Sequence, residues 1–186
     1  MIPVVFDPVR LAVVVAGAGD ALARRVVWLR DAGTERLRVF CEAPDAAVVA
    51  AAGKALERRL PDGRDLGGTC LMFVTGLDEG VAAGLADLAH AHNVPVNVED
   101  RIALSDFHVP AVVRRGDLLL TVSTGGRGPG LTVAIRERLE RRFGPEWAER
   151  VESLARARAG WKSEGAGFGE LRRRTREWLD RQGWFD

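Results

Sequence analysis

The chain has 186 residues, enough for one main domain and a modest appendage. Hydrophobic residues make up 47% and charged residues 28%, and 27 Lys and Arg against 26 Asp and Glu leave a formal net charge of +1, which argues against a generic nucleic-acid binder. No apolar run is long enough to span a bilayer, the opening MIPVVFDPVR does not read as a signal peptide, and the two cysteines, Cys41 and Cys70, are too few for a disulfide framework or a zinc site and fit a reducing cytoplasm.

Leu11–Ala16 is a continuous apolar run, the pattern of a strand buried on both faces of a parallel sheet. Asp20–Asp31 has amphipathic helical spacing with Leu22, Val26 and Leu29 on one side, and Ala32-Gly33 ends it. Leu37–Cys41 reads as a second strand, and Asp45 is placed to cap a helix over Ala46–Leu60. Pro61–Gly68 is a polar loop, Leu71–Val74 a third strand, Glu79–His92 a helix with Asn93 at its C-cap, and Val94–Val98 a fourth strand. Strands alternating with helices predict an α/β fold with right-handed crossovers and a doubly wound parallel sheet. After Asp100 the pattern changes. Val109–Val113 and Leu118–Ser123 read as two strands joined by a tight turn, with Pro110 marking an edge. The rest reads as helices over Leu131–Phe143, Pro145–Ala159 and Glu170–Gln182, with Gly160–Gly169 as a flexible joint.

Three segments carry candidate chemistry. The first strand runs into Gly17-Ala18-Gly19-Asp20-Ala21-Leu22, and a strand, a glycine turn and a helix N-terminus together make an anion site suited to a dinucleotide pyrophosphate. Glu42, at the end of the second strand, is placed to hold a ribose hydroxyl. The alternative is a glycine turn in a Rossmann-like fold that binds nothing. The fourth strand leads into Asn97-Val98-Glu99-Asp100, where Asp100 either takes a proton or orients a substrate N–H, or simply forms a turn. Ser123-Thr124-Gly125-Gly126-Arg127-Gly128-Pro129 precedes a helix, and its hydroxyls, glycines and Arg127 suit a polyanion, unless it is only a flexible loop.

In this order the segments resemble the precorrin-2 dehydrogenase/sirohydrochlorin ferrochelatase family, the dehydrogenase module of siroheme synthase. Ile2–Phe6 resembles the family's opening Pro-apolar-Phe segment, Gly17–Arg25 its glycine turn, Asp31-Ala32-Gly33 the lead into its second strand, Asn97–Asp100 its Asn-Val-x-Asp, Asp106–Ala111 its Asp-Phe-x-x-Pro-Ala, and Ser123–Pro129 its Ser-Thr/Ser-Gly-Gly-x-Ser-Pro. The resemblance covers about residues 2–145. It implies NAD-dependent oxidation of precorrin-2 to sirohydrochlorin, in some members followed by ferrous iron insertion, a lyase activity. It also implies a homodimer built after the Rossmann half, with a Rossmann NAD-binding domain over 1–106, a dimerisation and substrate region over 107–145 and a C-terminal helical segment over 146–186. Carried over by position, Asp100 is the catalytic carboxylate. Gly17, Ala18, Gly19, Asp20, Ala21, Glu42, Ala43 and Thr75 are cofactor positions, and Asn97, Ser123, Thr124, Gly125, Gly126 and Arg127 are substrate positions.

Two departures stand out. Leu22 occupies the place of a small residue, and Thr75-Gly76-Leu77 stands where the family has Thr-Asp-Asp. They keep open a non-redox tetrapyrrole- or nucleotide-binding paralogue, a chelatase-only member, or another NAD(P)-binding enzyme sharing only the sheet. His90 and His92 fall on different helix faces and are poor joint metal ligands, His108 reads as structural, and no resident metal is expected. Arg172-Arg173-Arg174 and Arg176 lie beside Trp178 among interspersed acids, which reads as a solvated or dimer-covering helix rather than a membrane-binding one.

Overall fold

The computed structural model describes residues 2–185, and the chain divides into two compact units, Met1–Val109 and Pro110–Asp186. In the first, β1 (Ala12–Gly17), β2 (Arg36–Phe40), β3 (Leu56–Glu57), β4 (Leu71–Thr75) and β5 (Val96–Val98) form one sheet of order β3-β2-β1-β4-β5, every pair parallel. Helices α1 (Gly19–Asp31), α2 (Ala46–Ala52) and α3 (Glu79–Ala91) make the crossovers. The expected doubly wound sheet is observed, and its order reverses direction between β1 and β4.

Strand alternation divides the core. Val13, Val15, Leu37, Val39, Leu71 and Phe73 pack with Leu22, Val26 and Leu29 of α1 and Val48 of α2. Val14, Ala16, Met72, Val74, Val96 and Val98 pack on the other face with Ala82, Leu85, Ala86 and Ala89 of α3. Burial on both faces is why the strands read as unbroken apolar runs. Leu22 is fully buried in the first layer, so its bulk fills the core.

Two expectations for the first unit are corrected. The helix expected over Ala46–Leu60 stops at Ala52, because Gly53 takes a φ of +53° and the Arg30 guanidinium donates to the Ala52 carbonyl at 2.6 Å. A single turn of 3₁₀ helix and the two-residue strand β3 follow, and so short a strand carries no periodic signal. The fourth expected strand begins two residues later than predicted, at Val96, while Asn93 ends the helix before it with a φ of +56°.

In the second unit β6 (Ala111–Arg115) and β7 (Leu118–Val122) form an antiparallel pair across a turn where Gly116 has a φ of +55°. Helices α4 (Pro129–Arg142), α5 (Trp147–Ser163) and α6 (Phe168–Gln182) follow, and α5 runs through Gly160, so the connecting segment is shorter than the expected glycine joint. Trp147 packs against Phe143, Trp184 and Phe185, with the Arg150 guanidinium 5.0 Å from its ring and 5.3 Å from that of Trp184. Arg115 donates to the Phe143 carbonyl at 2.9 Å and closes the end of α4.

The β3 edge is held by charge rather than by apolar burial. Arg38 bonds Glu57 at 2.6 Å and Asp65 at 2.7 Å, Arg59 bonds Asp65 at 2.6 Å and Glu57 at 2.8 Å, and both guanidinium groups lie over the Phe40 ring. Asp65 is 6% exposed. Arg59, the Asp62 amide and Arg38 hold its carboxyl well below the usual carboxylate range, against the opposing effect of desolvation. A carboxyl depressed in the folded state contributes stability that is complete above its unfolded pKa of about 4 and is lost as pH falls below that value. Asp65→Asn is therefore expected to lower the urea midpoint at neutral pH, with the gap to wild type narrowing between about pH 5 and about pH 3. Parallel loss in both proteins across that window counts against the clamp.

Candidate active site

The site is built where β1 and β4 converge. The Ala18 amide donates to the Thr75 carbonyl at 3.2 Å, tying the β1–α1 turn to the end of β4. A Cβ on Gly17 would collide with that carbonyl, and one on Gly76, whose φ is +65°, would collide with the carbonyl of Ala18. Both glycines are demanded by this approach. Gly19 differs, because its φ is +60° and the space where its Cβ would stand is open. Helix α1 starts there, capped by no side chain because Ala18 has none to offer. Its first amides point outward from the positive end of the helix dipole. An uncapped helix start with an open glycine fits a pyrophosphate.

Beyond this turn lies a cleft of about 510 Å³ lined by Ala21, Arg24, Gly76, Leu77, Glu99, Asp100 and Arg101. It opens at the carboxyl ends of β1, β4 and β5, beside the reversal in strand order, where ligands of open α/β sheets bind. Asp100 is exposed and has a φ of +60°, in the left-handed region that costs a non-glycine residue energy. It sits in a turn closed by the Arg101 amide on the Val98 carbonyl at 3.1 Å. The Arg101 guanidinium reaches across to the Leu77 carbonyl at 3.2 Å, joining the β5 and β4 loops.

Glu99 lines the same cleft. It accepts a hydrogen bond from the Thr75 hydroxyl and lies 3.7 Å from the Arg25 guanidinium. Arg25 is 14% exposed and packs over Trp28 at 5.4 Å and Phe73 at 5.1 Å. Burial lowers its pKa, and Glu99 restores part of the loss.

The sheet brings Gly17, Ala18, Gly19, Asp20, Ala21 and Thr75 together at one end, with Asp100 across the cleft. Glu42 and Ala43 are exposed just past β2. Asn97 is buried in β5, and its amide donates to the Phe107 carbonyl at 2.9 Å, so its polar group is engaged within the unit. Ser123, Thr124, Gly125, Gly126 and Arg127 belong to the second unit. There the Thr124 hydroxyl accepts the Gly128 amide at 3.1 Å and lies 3.0 Å from that of Thr132, bracing the loop ahead of α4. His90 pairs with Asp106 at 3.1 Å, and among the described residues no three His, Cys, Asp or Glu gather as metal ligands. Sequence reasoning did not single out Arg24, Glu99 or Arg101 as cleft residues. Arg24 was within reach, standing one helical turn after Ala21. The pairing of Glu99 with Arg25 had no local signal.

An all-parallel sheet of this order, with a glycine turn feeding an open helix N-terminus, defines a dinucleotide-binding α/β protein. Residues 4–111 match the family model described as "Putative NAD(P)-binding", and the chain belongs to that family. The resemblance to the precorrin-2 dehydrogenase family is borne out by the relatives. A siroheme synthase of Methylococcus capsulatus is 33% identical over 132 residues, covering 70% of this chain and 28% of that protein. One from Pseudomonas putida is 36% identical over 156 residues, covering 81% and 33%. The chain thus spans about a third of the length of these curated relatives. The solved structure of "SirC, precorrin-2 dehydrogenase" shares the fold, with a TM-score of 0.75 at 21% identity over 100% of this chain and 93% of that one. The family and the fit of the glycine turn point to a nicotinamide cofactor.

The contact between Gly76 and Ala18 makes a direct test. Gly76→Ala forces a left-handed alanine against a backbone carbonyl. It is expected to cost at least about 1 kcal/mol of stability and to weaken nicotinamide dinucleotide binding about tenfold or more by calorimetry. Unchanged affinity would detach this turn from the cofactor.

Proposed function

We propose that the protein oxidises precorrin-2 to sirohydrochlorin with NAD, in the cytoplasm and as a homodimer. The observation that carries this reading is Asp100, an exposed carboxylate held in a left-handed turn across a cleft from the glycine turn. Its support is the family, the names of the relatives and the matching fold.

When bound, the nicotinamide supplies the hydride acceptor. The oxidation removes a hydride and a proton from precorrin-2. A bound nicotinamide would take the hydride, and the Asp100 carboxylate would receive the proton. The amides at the start of α1 hold the pyrophosphate. Glu42 accepts from the ribose hydroxyls and repels a 2′-phosphate, which favours NAD over NADP. Ala43 would lie beside the same cofactor, and Thr75, buried and bonded to Glu99, would act on it through its carbonyl bond to the glycine turn. The substrate is a polycarboxylate, and the second unit has the matching charge, with 16 Lys and Arg against 11 acids where the first has 11 against 15. Arg127, in the glycine loop ahead of α4, is the first candidate to bind those carboxylates. Homodimerisation through the second unit is supported by its two-stranded sheet, whose outer edges pair with no other strand among the described residues, and by exposed Leu131 and Val133 on α4.

The test is anaerobic incubation with precorrin-2, with and without NAD, following the visible spectrum for sirohydrochlorin. NAD-dependent formation is expected, and Asp100→Asn, which tolerates the same backbone, is expected to lower kcat by about a hundredfold or more with stability within about 0.5 kcal/mol of wild type. A fully active variant removes Asp100 from the chemistry. Conversion of sirohydrochlorin to siroheme by ferrous iron, in a protein that forms no NADH, would favour the chelatase-only alternative. Glu42→Ser is expected to narrow the preference for NAD over NADP about tenfold, read as the ratio of the two dissociation constants.

A further inference from the structure

Glu99 stands beside Asp100 and lines the same cleft, with its carboxylate engaged by Thr75 and Arg25. Four connections hold the turn, three of them at Glu99. The Glu99 amide donates to the Val74 carbonyl at 2.9 Å, fixing the start of the turn on β4. Its carboxylate accepts from the hydroxyl of Thr75, whose own carbonyl accepts the Ala18 amide of the glycine turn. It also faces Arg25, and Arg25 is held in turn between the rings of Trp28 and Phe73. At the far end of the turn the Arg101 guanidinium grips the Leu77 carbonyl. A left-handed aspartate relaxes unless its surroundings hold it. The fixed points here are Glu99 on one side and Arg101 on the other.

We propose that Glu99 is the positioning residue for Asp100, with Arg25 as its buried counter-charge and Thr75 as the link that carries the state of the glycine turn to the carboxylate. This rests on the reading of Asp100 as the proton acceptor. A buried guanidinium without its partner is costly, so the pair holds its place more firmly than a neutral contact would. The arrangement fixes the turn and leaves the Asp100 carboxylate free for substrate. Glu99 touches neither proton nor hydride and acts through the conformation of its neighbour.

The test uses Glu99→Ala, Glu99→Gln, the double variant Glu99→Gln with Arg25→Met, and Asp100→Asn in the full chain. Two measurements are made. Amide hydrogen exchange at Arg101 reads the turn without any turnover. It is expected to be at least about tenfold faster in Glu99→Ala, with Val15 at the sheet centre unchanged, and near wild type in Asp100→Asn. In the precorrin-2 assay Glu99→Ala is expected to lower kcat about 10- to 100-fold with KM within about twofold, and Glu99→Gln, which still accepts from Thr75, to recover part of it. The double variant removes both charges, so its thermal stability is expected to exceed that of Glu99→Gln while kcat stays depressed. If kcat returns together with stability, Glu99 is only the partner of a buried arginine and the proposal is overturned. Wild-type exchange at Arg101 in Glu99→Ala overturns it as well, whatever the activity. Full activity in Asp100→Asn, by contrast, overturns the underlying assignment of Asp100, which the exchange measurement does not depend on.

Discussion

The carbonyl oxygen of Thr75 is the constraint around which the first unit is organised. It accepts the Ala18 amide, and that one bond brings two parallel strands so close at their carboxyl ends that neither Gly17 nor Gly76 has room for a side chain. The approach fixes where α1 begins and so where its unpaired amides point. It also brings the loop after β4 beside the loop after β5, and the cleft is the space left between those loops and α1. The apolar layers on the two sheet faces supply the stability, but they would tolerate many placements of these loops. Backbone contact at the strand ends selects one.

The loops are then secured by polar groups of limited exposure. Arg101 ties the β5 loop to the β4 loop, Thr75 ties the β4 end to Glu99, and Ser105 bonds the Val98 amide and carbonyl at 2.9 and 3.1 Å beneath the turn. The β3 edge uses the same device with Arg38, Arg59, Glu57 and Asp65. In both places a short or irregular segment offers little apolar surface, and it is fixed instead by hydrogen bonds at the cleft and by ion pairs on the buried Asp65 at the β3 edge. Such pairs add little net stability, but they penalise any arrangement that would strand one charge.

What could be read from the sequence follows from how local each signal is. Leu11–Ala16 announces a two-faced strand in its own composition, and Gly17–Leu22 announces the turn, because strand, glycines and helix start are contiguous. The place of Asp100, just past the end of a strand at the cleft, was legible because the apolar run before it announces where that strand ends. Strand β3 was not, since two residues held by arginines from elsewhere have no periodicity, and Gly53 ended α2 where alanines and leucines promised more helix. Gly76 read as a departure from a family pattern, and its reason is a carbonyl on the far side of the sheet-end junction. Leu22 looked too large for a nucleotide turn because its direction, into the core, depends on the register of the helix. The pairing of Arg25 with Glu99 joins distant positions, and no single segment encodes it.

The aromatic cluster of the second unit bears on the order in which the molecule can form during synthesis. Phe143 and Trp147 pair with each other, but Trp147 is completed by Trp184 and Phe185, and Arg150 completes its stack on Trp184. The first unit is different, since its final strand ends at Val98 and the Asp106 carboxylate that accepts the Val96 amide follows soon after. The nucleotide-binding half can therefore close while the ribosome is still adding the helices. The second half must wait with Trp147 and Trp178 incompletely covered until residues 184 and 185 have emerged, and that interval is when the nascent chain has most need of protection against aggregation.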